Sequence, residues 1–310
     1  MRYPSAIMPL LLAAAVLCGC SGGTSFGPPG APVLEFDKSF DTNSAAVGPL
    51  SGPVGIALNG TDLWVVDRGN DRLVVIDTTN AVTPRAIGQF GHDPLEFDAP
   101  TDAIIANSNV YVADTGNRRV QRLTTDGQFV GEFGVGGTGP GEFVEPTYMA
   151  SGSDVMVVDS SRADVQVFDA NNVLERSFGG YGTAPGQMQR PRGIAKGTAG
   201  VWVADGGLSR LHLFSSSGVF ARSVGFPGTR LGSLDDPEGL LASGGSIYVV
   251  DSGNARVQVF NESGTPISAF GTRGSGDGEF IDPSDIASGS SGTIYVSDTG
   301  NNRIQRLSPP

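Results

Sequence analysis

Apolar residues gather in short runs that each end in an aspartate. "LWVVD", "VYVAD", "VMVVD", "VWVAD", "IYVVD" and "IYVSD" close at Asp67, Asp114, Asp159, Asp205, Asp251 and Asp298, which stand 45 to 47 residues apart. Successive positions within a run are apolar. An amphipathic helix would space them at 3.6, and a sheet with one wet face would alternate them, so the runs predict short strands covered on both faces. A proline precedes each aspartate by 13 to 15 residues: Pro53, Pro100, Pro146, Pro191, Pro237 and Pro283. Three positions before each proline is a large apolar residue: Leu50, Phe97, Phe143, Met188, Leu234 and Phe280. The unit therefore reads as four strands, a ("PTDAIIA"), b ("VYVAD"), c ("RVQRL") and d ("FVGEFG"), joined by glycine-bearing turns.

Six copies with a period in the forties and no helical spacing predict an all-β chain, a six-bladed β-propeller with four-stranded blades. The ends of the chain show how the ring closes. The sixth copy stops 12 residues past Asp298, whereas Phe133, Phe178 and Phe270 of strand d lie 19 past their own aspartates. Phe40 precedes Leu50 by ten residues, the spacing that also separates Phe133 from Phe143 and Phe270 from Phe280. Residues 33–40 are thus in phase with strand d, and an N-terminal strand completes the last blade, which leaves one domain over residues 33–310.

Composition narrows the function. The formal net charge is −12, lysine occurs only at Lys38 and Lys196, and no basic run is present to neutralise a phosphate backbone, so nucleic acid is excluded as a partner. The 46 glycines and 20 prolines show no three-residue period and fit many tight turns. Residues 1–19 combine Arg2 with an apolar stretch from Ile7 to Leu17, too short to span a bilayer, and read as an export signal. The segment Leu17-Cys18-Gly19-Cys20 resembles the lipobox of bacterial lipoproteins, which implies cleavage before Cys20 and lipidation of its thiol. Cys18 and Cys20 are the only cysteines, so the mature domain has none to pair. Residues 20–32 then form a lipidated N-terminus and flexible tether. The expected location is the cell envelope. Ser21, rather than aspartate, after the lipidated cysteine implies the outer membrane in a Gram-negative source.

The unit "FxxPxxIA…VYVADTGNxRVQRF…G…FG" resembles the NHL repeat, a six-bladed propeller family, over residues 33–310. "EFIDPSDIA…IYVSDTGNNRIQRL" fits it closely, and "DSSRADVQVF" of the third copy departs most. Related lyases of that family hold zinc with histidines, and the similar streptogramin-type lyases also rely on histidine. Here only His92, in a loop, and His212, at a strand-c position filled elsewhere by Gln121, Gln166, Gln258 and Gln305, are present. A three-histidine zinc site is excluded, and no catalytic motif is assigned.

The repeated aspartates read as scaffold. Each can accept N–H groups of the following turn and pair with an arginine five residues on, at Arg72, Arg119, Arg210, Arg256 and Arg303. The third copy has Asp164 at that position and Arg162 two residues earlier. Function is then expected where the copies differ, on the face carrying the d–a loops, the b–c turns and the start of strand a. Two positions after each proline stand Gly55, Asp102, Tyr148, Gly193, Gly239 and Asp285, expected at the channel mouth. Asp102 and Asp285 either hold a cation in the channel or are solvated turn carboxylates, the commoner case. Tyr148, Tyr181, Arg190 and Arg192 make the richest patch for a ligand, with Phe226, Arg230 and Arg273 on the same face. The expectation is a monomeric, membrane-anchored binding or scaffold module for a protein or glycan, without a cofactor. The alternative is a lyase or hydrolase with its site at the channel mouth.

Overall fold

A computed structural model describes residues 25–26, 34–42, 45–80 and 82–309. They form six four-stranded antiparallel blades in a ring, each in the order a-b-c-d. In blade two, for example, the strands are Asp102–Ala106, Asn109–Asp114, Arg119–Thr124 and Phe129–Phe133. Strand a of every blade begins near its proline and lines the axis. Strand b carries consecutive apolar residues because alternate side chains enter different gaps: Leu63 and Val65 pack toward blade six, Trp64 and Val66 toward blade two. Among the described residues the core is accordingly six clusters, one in each gap between neighbouring blades.

The large apolar residue before each proline plugs its gap; Phe97, Phe143, Met188, Leu234 and Phe280 are fully buried. Its size dictates a glycine at the start of the d–a loop. Gly134 adopts φ +84°, and a Cβ there would lie 2.3 Å from the Phe143 ring, so both backbone and packing forbid a side chain.

Blade six consists of Pro283–Ser288, Ile294–Asp298, Arg303–Ser308 and, from the other end of the chain, Glu35–Phe40. The N-terminal strand runs antiparallel to the C-terminal one, with Glu35 opposite Ser308 and Phe40 opposite Ile304. Leu34 and Phe40 are buried on either side of it, and Arg306 pairs with Asp37 at 2.6 Å. The segments expected as signal (1–19) and tether (20–32) lie outside the described residues, apart from Ser25–Phe26. Those two residues pair with Phe270 and Ala269 on the outer edge of blade five, as a short fifth strand where a free tether was expected. An open sheet edge has unpaired N–H and C=O groups, which gives the chain a reason to lie there.

Candidate binding face and central channel

The repeated aspartate fixes the loop face. Asp114 is fully buried at the end of strand b and accepts the Asp98 N–H at 2.9 Å, Asn117 Nδ2 at 2.9 Å, Arg119 Nε at 2.8 Å and Gln121 Nε2 at 3.1 Å. Asp251 and Asp298 make the same set of contacts. The carboxylate thus ties the segment before the proline to the b–c turn. The hydroxyl that follows it reaches the next blade: Thr115, Ser160 and Thr299 donate to the carbonyls of Pro146, Pro191 and Pro53 at 2.6 to 2.7 Å.

Blade three reaches the same end by another route. In blade two the Arg119 guanidinium donates to the Glu96 carbonyl; in blade three it is Arg162 that donates to the corresponding Glu142 carbonyl at 3.0 Å. Arg162 also pairs with Asp164 at 2.9 Å. His212, in the glutamine position of blade four, is fully buried, 3.4 Å from Asp205 and 3.2 Å from the Ser223 hydroxyl.

On this scaffold four consecutive d–a loops each expose one large apolar side chain: Phe90, Val135, Tyr181 and Phe226, all 60–70% accessible. The loops fold back on themselves, pairing Phe90 with Phe97, Tyr181 with Met188 and Arg273 with Phe280. One side of each pair plugs the gap and the other side faces water. His92 is exposed beside Phe90, its ring edge-on at 6.1 Å. In the fifth loop exposed Thr272 and Arg273 take these positions, so the apolar arc spans the gaps between blades one and five and ends there.

Of the residues expected in a single patch, Tyr181 lies in this arc, whereas Arg190 is ion-paired with Asp236 of blade five. Tyr148 and Arg192 are turned inward. The Tyr148 hydroxyl donates to Glu238 of blade five at 3.0 Å and to the Ser284 carbonyl of blade six at 3.2 Å. Blades three and six are opposite one another, so the Tyr148 side chain crosses the axis and stoppers the channel. Arg192 holds the other Glu238 oxygen at 3.4 Å. Burial, and then the Glu238 charge, push the Tyr148 hydroxyl well above the ordinary phenol range; burial raises Glu238 too.

Asp102 and Asp285 are only 2% and 7% exposed, which replaces the expected solvated carboxylates with buried ones. Each bridges to the next blade: Asp102 accepts the Met149 N–H at 2.6 Å, and Asp285 accepts the Ile56 N–H at 2.9 Å. Close approach of the inner strands explains the glycines between them. A Cβ on Gly55 would sit 2.4 Å from the Asp102 Cα, and one on Gly193 would sit 2.1 Å from the Glu238 carbonyl. Burial pushes Asp285 up to about 7, and burial together with the Asp285 charge raises Asp102 well above the carboxylate range. Among the described residues no group of three or more His, Cys, Asp or Glu side chains is arranged to hold a metal ion.

A folded-state pKa above the unfolded one means that the folded protein binds protons more tightly. The stability contributed by this pair is complete below about pH 4, the unfolded value, and for Asp285 is lost as pH rises to about 7. The melting temperature should therefore fall between pH 5 and pH 7.5, and Asp285→Asn should flatten that fall. A wild-type melting temperature that climbs through this window would contradict the assignment.

A family model described as DUF5128, a 6-bladed beta-propeller, matches residues 233–307, within blades five and six. No curated protein sequence matches the chain. Among solved structures, a Bacteroides thetaiotaomicron protein of unknown function superposes with a TM-score of 0.66 at 14% identity, covering 93% of this chain and 76% of that one. Virginiamycin B lyase from Staphylococcus aureus gives 0.60 at 14% identity, over 88% and 84% of the two chains. A chain of the nidogen/laminin complex gives 0.57 at 12% identity, over 80% and 92%. At these identities the likeness is one of fold: the chain is a six-bladed propeller of a kind found in both enzymes and binding proteins.

Proposed function

We propose that this propeller, of the NHL-repeat type, is a binding module held at the cell envelope by a lipid on Cys20, and that it docks a protein partner on its d–a loop face. The observation that carries the reading is the arc of Phe90, Val135, Tyr181 and Phe226. Single exposed apolar residues are ordinary on a soluble protein, but one in each of four consecutive loops on the same face, with Arg190, Arg230 and Arg273 in that loop region, has the composition of an interface. The loops are set on rigid blades, so the arc is pre-organised and little ordering entropy opposes docking. The fold relative in a nidogen/laminin complex is compatible with such a role.

A lyase or hydrolase at the channel mouth is the second reading. It draws on the raised pKa values of Asp102 and Asp285, a perturbation that catalytic carboxyls often show. Both carboxylates, however, already hold backbone N–H groups of the neighbouring blades.

The test is the triple variant Phe90→Ser, Tyr181→Ser and Phe226→Ser. Surface positions of this kind shift stability by roughly 0.5 kcal/mol or less each, so the fold should remain intact. Affinity for a protein crosslinked to the wild type in its own envelope should fall about 30-fold or more, the loss of one interface hot spot. Undiminished capture by the folded variant would refute the reading, and selective loss of a polysaccharide would make the partner a glycan.

A further inference from the structure

Beneath the Tyr148 stopper the channel widens into a cavity of about 250 Å3, below the ~300–1,000 Å3 typical of pockets for drug-sized ligands. It lies on the far side of Tyr148 from the docking arc and opens where the a–b turns are. Its inner end is formed by Asp102 and Asp285, its wall by Ile56, Ile104, Ile194, Leu240 and Ile286, and its mouth by Lys196. Lys196 is exposed, with its ammonium over Gly152.

We propose that this cavity binds a small ω-amino carboxylate, its ammonium between Asp102 and Asp285, its methylene chain along the aliphatic wall, and its carboxylate at Lys196. Three features of the site converge on that class. At the inner end, neither Asp102 nor Asp285 makes an ion pair among the described residues, and the nearby cation, Arg192, is engaged by Glu238. Two carboxyl groups are therefore buried without a counter-charge, which is why burial dominates their raised pKa values. An ammonium brings three donors, and an ionised carboxylate that already accepts one or two backbone N–H groups retains lone pairs for it. Along the wall between them Ile56, Ile104, Ile194, Leu240 and Ile286 show aliphatic edges that methylenes can touch, alongside polar surface. At the mouth the charge reverses. Lys196 makes no ion pair among the described residues; it opposes entry of a diamine and favours an anionic tail.

The length also fits. Asp102, Tyr148 and Asp285 occupy the second position after their prolines, and Lys196 occupies the fifth after Pro191. Three strand residues at ~3.3 Å each separate the two levels by about 10 Å, close to the span of an extended 5- or 6-carbon amino acid. This site is independent of the docking face, which lies at the other end of the ring.

The experiment is calorimetric titration of the propeller with 6-aminohexanoate, hexylamine and hexanoate at pH 8. 6-Aminohexanoate should bind, hexylamine about ten-fold more weakly because it cannot use Lys196, and hexanoate not at all. Asp285→Asn keeps an acceptor for the Ile56 N–H and should lower affinity for 6-aminohexanoate about ten-fold or more. Lys196→Gln should weaken 6-aminohexanoate alone, leaving hexylamine unchanged or tighter. Lys196 is on the surface, so that arm decides the matter if Asp285→Asn does not fold. The proposal is overturned if hexanoate binds as well as the amino acid, if Lys196→Gln affects both amines alike, if folded Asp285→Asn binds undiminished, or if none of the three probes binds wild type at millimolar concentration.

Discussion

A chain that begins at residue 41 should melt on the order of 10 °C or more below one that begins at residue 34, or fail to fold. The difference between the two is the strand Glu35–Phe40 with its leading Leu34. Leu34 and Phe40 are buried in two different gaps, the first among Val250, Phe270 and Ile294, the second among Leu50, Ile56 and Tyr295. Full burial of side chains this size contributes about 1.5–3 kcal/mol each. Deletion also strips strand Arg303–Ser308 of its ladder partner and exposes the apolar faces of two gaps. In a domain of this size each kcal/mol shifts the midpoint by about 2 °C, so the two side chains supply about half or more of the predicted drop and the lost ladder and exposed gaps the rest. Thermal unfolding followed by circular dichroism checks it. Coincident melting curves would mean that the ring does not depend on the N-terminal strand. The exposed edge should also promote aggregation on heating.

Asp114→Ala is the point substitution with the largest expected cost, about 3–5 kcal/mol, the range for removing one partner of a buried ion pair. The substitution leaves four donors without their acceptor at once: the Asp98 N–H, Asn117 Nδ2, Arg119 Nε and Gln121 Nε2. Some of these retain other partners. Asn117 Nδ2 still reaches the Gly91 carbonyl and Gln121 Nε2 the Glu96 carbonyl, while the Arg119 Nη atoms, though not its Nε, keep Glu132 and the carbonyls of His92 and Glu96. Among the described residues the Asp98 N–H has no second acceptor. Asp114→Asn keeps acceptor capacity and should cost less, about 1–3 kcal/mol. Urea unfolding of the three proteins measures the order. Binding by the folded fraction should be unchanged in both variants, since Asp114 is fully buried beneath the loops.

The ring was legible because its architecture is written in local spacing. A propeller blade is a short-range object, and the aspartate, the proline and the plug residue of each copy lie within one period of the next. The closing strand was legible for the same reason, since Phe40 falls in strand-d phase with Leu50. The channel was legible only as a column: Gly55, Asp102, Tyr148, Gly193, Gly239 and Asp285 share a level. Their burial and orientation were not, because those depend on residues far away in the chain. The Tyr148 hydroxyl finds Glu238, 90 residues on, and Ser284, 136 residues on. Glu238 was passed over altogether, although its column, one position after the proline, also holds Arg192 in the preceding blade. Opposite charges in adjacent copies of one column were the available signal. Phe90 and Val135 were missed similarly; Phe90 stands seven residues before its plug, like Tyr181, and Val135 eight before, like Phe226, so the apolar series alternates between two adjacent columns and fills neither.

Blade three carries a lesson about what a repeat actually conserves. Stacked as rows of letters, the six copies show an arginine missing at position 164. In space no guanidinium is missing, because Arg162 enters from a different point of the turn and arrives at the same Glu142 carbonyl. A designer who edited the row toward the majority by writing arginine at 164 would place a second cation in an occupied socket and remove the carboxylate that Arg162 leans on. The vocabulary of such a fold is thus one of addresses rather than columns, and a blade can change its spelling freely as long as some side chain still answers at each address.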